Sequence, residues 1–204
     1  MFVRRVLQTL PFSERIETSF GGKKAALRSA GAWILWRLGF LKLYARVDWT
    51  RAERIVFVCL GNICRSPYGE MLCRAQNISS ASCGLAATGG STSPEAALQA
   101  ARAHGHPLDS HRATHFDDFD WAPGDLAVVF EIPHAREVEA RLKRRSPDSV
   151  PQVILLGLWM RPRRPHIQDP YSLGASYFDS CYAVIDASLK RLFEERRAYN
   201  SRSL

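Results

Sequence analysis

From residue 54 onward the chain alternates compact apolar runs with stretches where apolar positions recur every three or four residues. Arg54-Ile55-Val56-Phe57-Val58-Cys59 is the first compact run and reads as a buried strand. Further strands are predicted near 81–85, over 125–131 and over 151–156. Helical spacing predicts helices over 66–77, 93–105, 133–145 and 175–198. The last carries Tyr177, Cys181, Val184, Ile185, Leu189 and Leu192 as a stripe. Strand–helix alternation of this kind implies an α/β fold with a parallel sheet covered by helices on both faces. Such sheets bind ligands beyond the carboxyl ends of their strands, and Cys59 ends the first one.

The passage after that strand carries the chemistry: Cys59-Leu60-Gly61-Asn62-Ile63-Cys64-Arg65-Ser66-Pro67. A loop this short can turn the backbone N–H groups of Leu60 to Ser66 inward as an anion nest. The helix that follows adds its positive end and unsatisfied amides. Gly61 is expected to supply a backbone conformation that most residues resist. Asn62 tolerates the left-handed region and can brace the loop with its side chain. Arg65 offers a planar fork that matches two phosphate oxygens. Such a field favours a thiolate over a thiol at Cys59, and Ser66 can donate its hydroxyl to the sulfur. Pro67 is expected at the first helical position. A lone cysteine at a strand end is ordinarily core packing, but here Gly, Asn, Arg, Ser and Pro would all have to be coincidental.

This segment resembles the phosphate-binding loop of the low-molecular-weight protein tyrosine phosphatases, and the resemblance runs from about Ile55 to about Phe193. It implies a three-layer α/β/α fold around a four-stranded parallel sheet. It also implies hydrolysis of phosphotyrosine through a cysteinyl-phosphate intermediate, with no metal and no cofactor. Cys59 would be the nucleophile, with Arg65 and the amides of Leu60, Gly61, Asn62, Ile63, Cys64, Arg65 and Ser66 holding the phosphate. Asp169-Pro170-Tyr171, after the Pro- and Arg-rich stretch 160–166, resembles the family's general-acid loop. By that resemblance Asp169 protonates the leaving oxygen and then activates water, while Tyr171 lines the pocket mouth. Ser82 and His111 fall where the family has groups that hold the loop asparagine. Cys64 resembles a second loop cysteine that can trap an oxidised nucleophile as a disulfide. Two departures stand out: Cys83 replaces the usual alanine, and 86–92 lacks the aromatic that often walls the pocket. The alternative is a thioredoxin-coupled arsenate reductase on a similar fold. Against it, Cys73, Cys83 and Cys181 do not form the closely spaced pair such enzymes use. A non-catalytic phosphotyrosine-binding module has no support, because Cys59, Arg65 and Asp169 are all present.

The chain of 204 residues suits one domain plus an extension, and the sequence divides it into an extension at 1–52 and a phosphatase domain at 53–200. Five cysteines, an odd count with no secretory signal ahead of them, point to a reducing cytoplasm. No His/Cys cluster has zinc spacing. Residues 1–54 hold 11 Lys and Arg against 4 Asp and Glu, a balance of +7 in a chain of +8. The other 150 residues therefore carry only +1, which gives nucleic-acid binding no support. Within the arm, Ala30 to Tyr44 is apolar but broken by Arg37 and Lys42. It falls short of the ~20 apolar residues a spanning helix needs. Drawn as one helix, residues 24–46 gather Lys24, Arg28, Lys42 and Arg46 on one side, with Trp33, Trp36, Phe40 and Leu43 elsewhere. That pattern leaves two readings: peripheral contact with the inner face of a membrane, or packing on the domain or on a second copy. The family resemblance further implies phosphotyrosyl protein partners, a bacterial tyrosine kinase among them.

Overall fold

The computed structural model describes residues 11–148 and 150–202. Four strands form a parallel sheet in the order β2-β1-β3-β4: β1 (Arg54–Cys59), β2 (Ser80–Gly84), β3 (Asp125–Val129) and β4 (Gln152–Leu155). Among the described residues six α-helices accompany them: α1 (Phe12–Phe20), α2 (Lys23–Arg37), α3 (Arg65–Ala75), α4 (Glu95–Ala103), α5 (Ile132–Arg145) and α6 (Ala175–Asn200). The apolar runs of β1 and β3 occupy the two central positions, so Val56, Phe57, Val58, Ala127, Val128 and Val129 are fully buried. Helix α3 packs on β1 and β2, α5 covers β3 and β4, and α6 lies along α3 and α4. All six stripe positions of α6 are buried. The architecture is the three-layer α/β/α sandwich expected.

The strands fall within two residues of their predicted bounds. The third ends at Val129 rather than Glu131, so Phe130 and Glu131 leave the ladder at the end of the sheet where Cys59 lies. Helix α3 starts at Arg65, which makes Pro67 its third residue rather than its first. The missing N–H still falls within the first turn, where no intrahelical acceptor exists.

The arm departs most from expectation. Its helix spans Lys23–Arg37 and stops, with Gly39 in the left-handed region at φ 90°. Lys42 and Arg46 lie beyond that stop, so the single basic face drawn through Lys24, Arg28, Lys42 and Arg46 does not form. Ala25, Ser29 and Ala32 make the buried side of α2, with Trp36 half-buried beside them. Helix α1 packs on α2 and on α6. The arm is therefore docked on the domain.

Candidate active site

The turn from β1 into α3 is built around Asn62, which takes the left-handed backbone at φ 52°. Gly61 does not have the role expected of it, since its φ lies outside that region. The demanding position falls instead on the residue whose side chain braces it. Asn62 Nδ2 donates to Ser66 Oγ and to Ser82 Oγ, both at 2.8 Å, and its Oδ1 accepts from Thr114 N–H at 2.8 Å. His111 Nε2 lies 2.7 Å from the Asn62 carbonyl oxygen and donates to it. Burial pushes the His111 pKa down despite that bond, so the ring is neutral with its proton on Nε2. Ser82 Oγ in turn donates to Glu70 Oε2 at 2.6 Å, and Glu70 pairs with Arg74. Gly84, at the end of β2, lets the loop press against the strand. A Cβ there would lie 2.7 Å from both Asn62 N and Leu60 O.

Cys59 Sγ lies 3.0 Å from Ser66 Oγ. Because Ser66 Oγ already accepts from Asn62, its own proton is free to point at the sulfur. Cys64 is buried in the loop, and its carbonyl accepts from Tyr182 Oη at 3.2 Å. Burial, with Cys59 adding to it, pushes the Cys64 thiol far above its ordinary value, so it stays protonated. Leu60 is exposed and Ile63 half-buried.

Arg65 is fully buried, and one edge of its guanidinium is spent on the protein. Nη1 donates to Glu131 Oε1 at 2.6 Å and to the Ile167 carbonyl at 2.9 Å. The other edge is not spent: Nε and Nη2 have no hydrogen-bond acceptor. Nη2 is 2.8 Å from Asp169 Oδ2, which makes an ion pair without hydrogen-bond alignment. Burial alone would pull the guanidinium pKa down, but Asp169, Glu131 and Cys59 outweigh it and hold it up. Burial likewise opposes charge on Glu131, yet Arg65 and His134 hold that carboxyl below its usual range. Asp169 is partly exposed, and its Oδ1 accepts from Tyr171 N–H at 3.2 Å. Tyr171 itself is 55 % exposed.

The structure thus brings Cys59, Asn62, Ser66, Ser82 and His111 into one hydrogen-bonded network, and Arg65, Glu131 and Asp169 into a second. The two join through the adjacent residues Arg65 and Ser66. Sequence reading missed Glu131 and Gly84. The available signal for Glu131 was a carboxylate closing an apolar run at the carboxyl end of a central strand.

A family model described as low molecular weight phosphotyrosine protein phosphatase matches residues 54–201. The probable low molecular weight protein-tyrosine-phosphatase AmsI of Erwinia amylovora is 33 % identical over 139 residues, covering 67 % of this chain and 92 % of that one. Low molecular weight protein-tyrosine phosphatase A of Mycobacterium tuberculosis is 34 % identical over 165 residues, covering 73 % and 96 %. The crystal structure of the tyrosine phosphatase Wzb from Escherichia coli K30, in complex with sulphate, superposes with a TM-score of 0.59 at 31 % identity, covering 71 % and 98 %. The arm lies outside the family match. From residue 54 to 201 this chain belongs to the low molecular weight phosphotyrosine protein phosphatase family and is a protein-tyrosine-phosphatase, a phosphoric monoester hydrolase.

Proposed function

We propose that Cys59 displaces the tyrosyl oxygen of a phosphotyrosyl protein in a two-step reaction. In the first step the Cys59 thiolate attacks phosphorus, the S–P bond forms and the P–O bond to the ring breaks. Asp169 delivers its proton to the departing phenolic oxygen, which would otherwise leave as an anion of a group with pKa ~10. In the second step water attacks the cysteinyl phosphate, Asp169 takes its proton, and the S–P bond breaks to release inorganic phosphate. Ser66 steadies the sulfur anion. The loop amides and Arg65 hold the equatorial oxygens, as phosphoryl transfer requires.

The unspent edge of Arg65 carries this reading. Two adjacent donor nitrogens, Nε and Nη2, are fully buried without a hydrogen-bond acceptor, the second only ion-paired with Asp169, beside Cys59 and at the start of a helix. A buried unsatisfied cation edge is costly unless a ligand completes it. Nη1, tied to Glu131 and Ile167, fixes which edge is presented. Arsenate reduction coupled to thioredoxin finds no such support. Cys73, Cys83 and Cys181 are all buried, and burial pushes the Cys181 thiol up to about 12. The test is to quench the reaction of a phosphotyrosyl peptide in acid and map the phosphate. Label on Cys59, absent in Cys59→Ser, is the expected result. Turnover with no sulfur-bound phosphate, or label elsewhere, defeats the mechanism.

We read residues 1–52 as an extension to a phosphatase domain at 53–200. The substrates would be cytoplasmic phosphotyrosyl proteins, a bacterial tyrosine kinase among them, met at the inner face of a membrane. Among the described residues no helix is long and apolar enough to cross one. Leu27, Gly31, Ile34 and Leu38 form an exposed stripe opposite the docked side of α2, with Phe40 and Leu43 exposed after it. Residues 23–46 contain six Lys and Arg and no Asp or Glu. An apolar stripe set among cations suits an anionic lipid surface. Two such faces on copies of this chain would repel each other. Flotation of the full chain with anionic vesicles, lost in Ile34→Glu and absent with zwitterionic vesicles, is the expected result.

A further inference from the structure

The segment that carries Asp169 has no regular secondary structure of its own between Trp159 and Gly174. A general acid on such a segment must be held within a fraction of an ångström to be useful. The domain supplies some of the pins. Ile167 N–H donates to the Phe130 carbonyl at 2.9 Å, Arg65 holds the Ile167 carbonyl, and Tyr177 Oη donates to the Gln168 carbonyl at 3.2 Å.

The remaining pins come from the arm. Ser29 Oγ on α2 donates to the His166 carbonyl at 3.3 Å, and Arg28 Nη1 donates to Gln168 Oε1 at 3.4 Å. Trp36 receives the Arg163 guanidinium over its ring at 4.6 Å. Phe20 receives that of Arg164 at 4.4 Å, and Arg164 also donates to the Ser19 carbonyl. On the far side of Asp169, Gly21 lies so close to Leu173 that a Cβ would sit 2.7 Å from Leu173 Cδ1. The arm therefore grips the chain on both sides of the acid, at 163–168 and at 173. Arm and segment are both basic, so none of these contacts is an ion pair. Rings and carbonyl oxygens receive the arginines instead, with Arg163 Nε and Arg164 Nε left without an acceptor, which makes the docking geometric. A chain of polar contacts continues inward, from Gln168 to His166 Nε2 at 3.2 Å and from His166 Nδ1 to Glu131 at 3.9 Å. Glu131 holds Arg65.

We propose that the N-terminal arm is a positioning element of the phosphatase, with Ser29 and Trp36 fixing the segment that presents Asp169. The inference rests on the reading of Asp169 as the general acid. In that case the arm acts on both steps through Asp169, and kcat/KM, which reports the first, senses protonation of the leaving oxygen. Loosening it spares substrates that need no proton.

The experiment compares full-length variants on phenyl phosphate, a poor leaving group, and dinitrophenyl phosphate, an activated one. Ser29→Arg wedges α2 away from the segment, and Ser29→Ala with Trp36→Ala removes two pins without adding bulk. General acids contribute roughly 10²–10⁴-fold, so an acid presented a tenth of the time lowers kcat/KM for phenyl phosphate about tenfold. The ratio of the two kcat/KM values should fall by that factor in both variants. It should recover in Ser29→Thr with Trp36→Phe, which keeps hydroxyl and ring. It should stay at the wild-type value in Ala30→Gln, an exposed position of α2 outside the apolar stripe. Parallel loss on both substrates, or an unchanged ratio in the double alanine variant, overturns the proposal. Asp169→Ala separates the two ideas: if it leaves the ratio unchanged, the general-acid reading itself is wrong.

Discussion

Replacing Asn62 tests the brace on which the phosphate cradle depends. Asn62→Ala removes three hydrogen bonds, to Ser66, Ser82 and Thr114. Ser82 keeps its bond to Glu70 and Ser66 keeps its contact with Cys59, but the Thr114 N–H loses the Asn62 oxygen that accepts from it. At about 1 kcal/mol net for each bond, the loss is ~3 kcal/mol. Alanine must also hold φ 52°, which adds roughly 1 kcal/mol relative to a residue that tolerates it. The expected destabilisation is therefore about 4 kcal/mol for Asn62→Ala and about 3 kcal/mol for Asn62→Gly, which keeps the backbone freedom. Urea unfolding of the two variants reads the difference directly. Both should lose about 10²-fold in kcat/KM, the usual effect of losing one preorganised oxyanion donor. If alanine and glycine prove equally stable, the left-handed backbone is not under strain. If both are stable and fully active, the side chain does not hold the loop.

Other consequences can be measured separately. Cys59→Ser should abolish turnover while vanadate still binds, because the amides and Arg65 remain; loss of binding as well would mean the sulfur anchors the anion. Asp169→Ala should slow phenyl phosphate far more than dinitrophenyl phosphate, by about 10²-fold or more; equal slowing removes Asp169 as the acid. Glu131→Gln should destabilise by about 2 kcal/mol near neutrality, since glutamine still offers Arg65 one acceptor but no charge. The Glu131 carboxyl titrates below its ordinary value of 4.5 in the folded state, so its contribution is present in full above that value. It is lost as pH falls through the lower folded value, and the gap between wild type and Glu131→Gln should close in acid. A gap that persists at low pH would show that packing, not the ion pair, is responsible.

The layered fold was legible because burial and periodicity coincide. Strands buried on both faces must be near-continuous apolar runs, and β1 and β3 are. The loop was legible because its conformation and its chemistry select the same few residues within nine positions. Glu131 was less visible because a lone carboxylate after a strand has many uses. Only the fold shows that it faces Arg65 across 66 residues of sequence. Gly61 misled because glycine is the usual choice for left-handed backbone. The loop instead places asparagine there, where one residue both tolerates the conformation and ties three neighbours to it.

The arm shows where sequence reading stops. Its composition is equally consistent with a lipid surface, with the domain or with another copy of itself, since all three accept apolar residues. The structure divides one helix between two sides. Ala25, Ser29 and Ala32 are small and buried, and from that side Ser29 reaches the segment at 163–168. Leu27, Gly31, Ile34 and Leu38 face away. A helix with an apolar stripe on each side can bind two things at once. Here one side grips the segment beside the acid, and the other remains uncovered among cations. Whatever covers that second side acts on a helix already coupled to Asp169. Vesicles that bind the full chain should therefore alter the phenyl-to-dinitrophenyl ratio of kcat/KM, and should not alter it once Ser29→Arg has separated the arm from the segment. If bound vesicles leave the ratio unchanged, the two sides of α2 work independently.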